Sequence, residues 1–104
     1  MIIVIDNHGK ANLTGTDDFR RFEILVENPQ TTAARVAAAL SGLGEMEGDG
    51  VAWISEPALI KLAGRDKDAE WLASFSAMKD YARRFGWVDD TRSAIRAHIK
   101  RPGG

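Results

Sequence analysis

Between Asp68 and Phe85 the apolar residues Trp71, Phe75, Met78, Ala82 and Phe85 recur in alternating steps of four and three. That period belongs to one face of an α-helix, and at about 100° per residue the five positions share an arc of roughly 80°. Glu70, Lys79, Asp80, Arg83 and Arg84 fall mostly outside the arc. A helix with so bulky a stripe must press it against another layer. Asp66 is the candidate cap, Asp68 and Glu70 stand in the first turn and Arg83 and Arg84 in the last, as the helix dipole favours, and Gly86 is the stop.

Other patterns supply that layer. Ile2-Ile3-Val4-Ile5 is a β-branched run without polar interruption, predicting a central strand covered on both faces. From Arg21 to Glu27 the pattern alternates: Phe22, Ile24 and Val26 point one way and Arg21, Glu23, Leu25 and Glu27 the other. Asn28-Pro29 ends that strand. Thr31 or Thr32 can cap a helix whose apolar face is Ala33, Val36, Ala37, Leu40 and Leu43, with Gly44 as its stop. Val51 to Ile54 reads as a short strand, and Ser55-Glu56-Pro57 opens a short helix that Gly64 closes. Ile95, Ala97 and Ile99 alternate with Arg96, His98 and Lys100, which favours a strand, although Asp90 could cap a short helix there. The stretch from Asp6 to Asp18 is turn-rich, and the acidic, glycine-rich Gly44–Gly50 segment is expected to be a mobile loop. The predicted order is ββαβααβ, an α+β fold with a single layer of helices packed on one mixed β-sheet.

At 104 residues the chain is expected to form a single domain, residues 1–104. A hydrophobic content of 44% with 28% charge and a net charge of -1 argues against disorder and against a global pull toward nucleic acid. The absence of cysteine excludes disulfides, thiolate nucleophiles and cysteine-ligated metals. Met1 to Ile5 is too short for a signal-peptide core, and no window has the roughly 20 apolar residues of a membrane span, so a cytoplasmic domain is expected.

Candidate chemistry is sparse. Arg96, His98 and Lys100 would share one face of the last strand, a row able to hold a phosphate or carboxylate, with Trp53 or Trp87 as a wall. The plain alternative is an edge strand kept soluble by cations. His8, His98 and Asp6 combine residue types that suit zinc or iron, but no pair has helical ligand spacing. The serines stand in no nucleophile elbow, and no Walker loop, dinucleotide fingerprint or EF-hand loop is present, which disfavours nucleotide binding. Trp53, Trp71 and Trp87 are a high aromatic load, fit for a core, a pocket or an oligomer interface.

The reading that follows is a non-enzymatic domain acting through self-association, as a homodimer, or through binding another protein. Its alternatives are anionic ligand binding by Arg96, His98 and Lys100, and a histidine- or metal-dependent enzyme built on His8 or His98. No catalytic residue and no cofactor are assigned.

Overall fold

The computed structural model describes residues 1–102. Ten elements follow in order: β1 (Ile2–Ile5), β2 (Ala11–Thr14), β3 (Glu23–Val26), α1 (Ala33–Ala39), β4 (Gly44–Glu47), β5 (Val51–Ser55), α2 (Glu56–Ala63), α3 (Ala69–Arg83), β6 (Val88–Asp89) and β7 (Ala94–Lys100). The strands form one mixed sheet in the order β2-β1-β3-β7-β5-β4, with β6 also paired to β7. The α+β class and the single layer of helices stand as the hydrophobic pattern predicts.

Register explains the two faces. Ile3 lies opposite Ile24, Ile24 opposite Ile99, Ala97 opposite Ala52 and Ile95 opposite Ile54, so all point the same way. These residues join Val36 of α1, Leu40 at its C-cap, Leu59 of α2, and Trp71 and Phe75 of α3 in a single hydrophobic core. All three helices therefore cover one side of the sheet. Among the described residues, the other side has no helix on it. Ile2 and Val4 lie there half-buried, so β1 is covered on one face only, in contrast to the two-sided burial expected from its unbroken apolar run.

The caps have simple causes. The Thr32 hydroxyl accepts the N–H of Arg35, the Ser55 hydroxyl that of Ala58, and the Asp68 carboxylate that of Trp71. Asp68, rather than Asp66, thus starts α3. Trp71, Phe75 and Ala82 are buried and Met78 is half-buried, but Phe85 lies past the helix end and is 50% exposed. The stripe loses its last member because α3 ends at Arg83, two residues before Phe85.

Three strands arise where the sequence shows no strand pattern. β2 returns antiparallel along β1 and forms one edge of the sheet. β4 forms the other edge, so Gly44–Glu47 belongs to an ordered ladder and the expectation of a mobile loop there is overturned. Gly44 is needed for space: a β-carbon there would collide with the Trp53 carbonyl oxygen and with Ile54. β6 is only two residues long and pairs with the start of β7. Residues 94–100 form the strand favoured by their alternation. Among the described residues, no helix is long and apolar enough to cross a membrane.

Candidate functional site

β7 organises the uncovered face. β5 runs antiparallel beside Ala94–His98, so the two other partners of β7 must both lie on its opposite side. There β6 covers Ala94 and Ile95, and β3 covers His98 to Lys100. Between their ends the sheet has a seam. The Arg96 N–H donates to the Trp87 carbonyl at 2.8 Å, which sets Trp87 beside Arg96 just before β6 begins.

Arg96, His98, Lys100, Trp53 and Trp87 thus share this face, as register requires: Trp53 is opposite Arg96, Val51 is opposite His98, and His98 is opposite Glu23. They do not form one pocket. Trp53 lines a depression of about 260 Å³ with Glu45, Ser55 and Arg92. Its indole N–H donates to a Glu47 carboxylate oxygen at 2.7 Å, and the Arg92 guanidinium sits 5.4 Å from its ring centre. Trp87, His98 and Lys100 instead line a separate depression of about 260 Å³ at the seam, with Arg20, Arg21, Phe22 and Glu23. Arg96 lies between the two. Among the described residues its guanidinium has no carboxylate within 4.0 Å.

Glu23 sets the electrostatics of the seam. Its side chain is only 9% exposed, and its two oxygens meet Arg21 Nε at 2.7 Å and Lys100 Nζ at 2.8 Å. A buried carboxylate needs such partners to offset its lost hydration. Arg21 and Lys100 are therefore partly neutralised, whereas Arg20 and His98 have no ion-pair partner among the described residues. Sequence reading missed Arg20, Arg21, Phe22 and Glu23 at this place because only the parallel β3–β7 pairing brings them to His98 and Lys100.

An aromatic row extends from the seam. Trp87 stacks on Phe85 with ring centres 4.6 Å apart, and Phe85 meets Tyr81 edge-on at 5.2 Å. Tyr81 and Phe85 are at least half exposed. Their spacing, four residues apart at the end of α3, was the available signal for this cluster.

A further concavity of about 750 Å³ lies between α2 and α3, walled by Pro57, Ile60 and Leu72 and crossed by the Glu56–Lys79 ion pair at 2.7 Å. His8 is exposed in the turn after β1, while the Asp6 carboxylate accepts the backbone N–H groups of His8 and Lys10. Those bonds hold the Asp6 carboxyl below the usual carboxylate range, the Lys10 N–H contributing most. Among the described residues, no three histidine, aspartate or glutamate side chains are gathered as a metal ion needs. Compared with protein families, with curated proteins and with solved structures, the chain matches none.

Proposed function

We propose that this chain is a non-enzymatic binding domain that docks a protein surface, a second copy of itself, on the uncovered sheet face. The observation that supports this is the placement of all three helices on one side, which leaves Ile2, Val4, Leu25, Val51, Trp53 and Trp87 half-buried on the other. Such side chains gain from a partner that removes their remaining surface from water. Phe85 and Tyr81 extend the apolar surface past the edge of β6.

Charge supports a like partner. β7 contributes Arg96, His98 and Lys100 and edge strand β4 contributes Glu45 and Glu47 on the same face. A two-fold axis between those strips would set the basic row of each protomer against the acidic row of the other. Light scattering over about 1 μM to 1 mM tests it, since that range spans moderate to weak interfaces. The expected result is a concentration-dependent dimer that Phe85→Ala with Trp87→Ala weakens while the thermal transition stays cooperative. A strictly monomeric mass throughout overturns the proposal.

A second reading has its own support. Arg20, Arg21, His98 and Lys100 converge on the seam depression, an arrangement suited to an anionic ligand. Isothermal titration with inorganic phosphate at fixed ionic strength tests it, and the absence of saturable heat would overturn it.

A further inference from the structure

The geometry points to the seam depression as a binding site for a small aromatic phosphate monoester, one flat ring bearing one phosphate. This rests on the anionic-ligand reading and adds the ring, the size and the charge.

Three permanent cations, Arg20, Arg21 and Lys100, and one carboxylate, Glu23, line the depression, leaving a net formal charge of +2. A phosphate monoester carries close to two negative charges at neutral pH. The guanidinium groups of Arg20 and Arg21 present forked N–H donors that suit its oxygens, and His98 offers a further ring nitrogen. Glu23 anchors Arg21 and Lys100 from below and so holds two of the donors in place before any ligand arrives. Among the described residues Arg20 has no such tie, so its side chain can close on the anion.

The ring follows from Phe22 and Trp87, which line the same depression. Phe85 braces the Trp87 indole by stacking on it with planes 23° apart, so the wall is held rather than swinging. Size sets the limit. At about 260 Å³ the depression is smaller than the pockets of roughly 300–1,000 Å³ that take drug-sized molecules. One ring and its phosphate fit that scale, whereas a nucleotide with sugar and base would extend past the lining residues into solvent.

The test is calorimetric titration of the whole chain with phenyl phosphate, inorganic phosphate and adenosine monophosphate at one ionic strength. Phenyl phosphate is expected to bind about tenfold more tightly than inorganic phosphate, and adenosine monophosphate no more tightly than inorganic phosphate. Arg20→Ala, at an exposed position without a salt-bridge partner among the described residues, should weaken phenyl phosphate about tenfold and leave the melting temperature unchanged. Trp87→Leu should bring phenyl phosphate down to the level of inorganic phosphate. Equal binding of the two phosphates overturns the aromatic assignment while preserving the anion site. No binding by either overturns both. Tighter binding of adenosine monophosphate overturns the size argument, and an unchanged affinity in Arg20→Ala overturns the location.

Discussion

Glu23 and Lys100 meet at 2.8 Å across the parallel β3–β7 pair, and Arg21 closes the other carboxylate oxygen at 2.7 Å. The three groups are not equivalent. Glu23 is 9% exposed at its side chain, whereas Arg21 and Lys100 are 59% and 60% exposed. Removing the acid returns two cations to water, and removing the cations strands a carboxylate beneath the surface. Glu23→Met, which keeps the volume, is therefore expected to change stability by less than about 1 kcal/mol. The Arg21→Ala, Lys100→Ala pair should cost about 2 kcal/mol, below the roughly 3–5 kcal/mol of a fully enclosed pair because water can reach part of the site. Urea unfolding of both variants checks the asymmetry, and the reverse order of losses would refute it.

Trp71 ties the segment before β3 to the helical layer. Its ring is buried between Phe19, at 5.6 Å, and Phe75, at 5.3 Å, and its indole N–H donates to the Thr16 carbonyl at 2.7 Å. Trp71→Phe keeps an aromatic ring but strips the donor and leaves space. We expect a loss of about 2–3 kcal/mol, the hydrogen bond and the unfilled volume together. Amide exchange should quicken first in residues 15–22. A loss spread evenly over the chain, without that local effect, would show that the bond does not pin the segment.

The long helix was legible because Trp71, Phe75 and Met78 obey one period and meet one core. Phe85 obeys the same period yet escapes burial, since periodicity cannot say where the chain leaves the helix. β2 and β4 were opaque for another reason. Edge strands are held by backbone pairing on one side, and Asn12, Thr14, Glu45 and Glu47 face solvent with little apolar patterning. The cationic row of β7 could be read from alternation alone. Its convergence with Arg20, Arg21 and Phe22 depends on register between strands from opposite ends of the chain, which local spacing does not encode.

Acid should destabilise the fold in a defined direction. The Asp68 carboxyl is held below its usual range first by the Trp71 N–H, Asp89 first by the Arg92 guanidinium and Asp90 first by the Arg83 guanidinium. A carboxyl depressed in the folded state contributes stability above its unfolded pKa of about 3.9, and that contribution fades as pH falls through the lower folded value. The contribution of these three carboxyls is thus expected to be level from neutral pH down to about 5 and to fall below about 4. Asp68→Asn separates charge from capping, because asparagine still accepts the Trp71 N–H without titrating. Its stability profile should be shallower below about pH 4 with the helix content of α3 retained. A profile as steep as the wild type would remove Asp68 from this account.

Gly44 decides whether edge strand β4 can lie against β5. It stands opposite Ile54 in the antiparallel register, at a point where a β-carbon would strike the Trp53 carbonyl oxygen. Its neighbours then place Glu45 3.5 Å from Arg92 and Glu47 2.7 Å from the Trp53 indole nitrogen, so one backbone approach supports two polar ties on the uncovered face. Gly44→Ala must push the strands apart at that position, at a cost of about 1–3 kcal/mol typical of overpacking. Because the ties depend on the same approach, amide protection in β4 should fall more than in β1 or β3, and the emission of Trp53 should shift as its indole N–H loses Glu47. Glu47→Ala serves as the control: it removes the acceptor without touching the backbone approach, and should reproduce the emission shift without the loss of protection. If Gly44→Ala leaves β4 as protected as in the parent chain, the close approach is not what holds this edge.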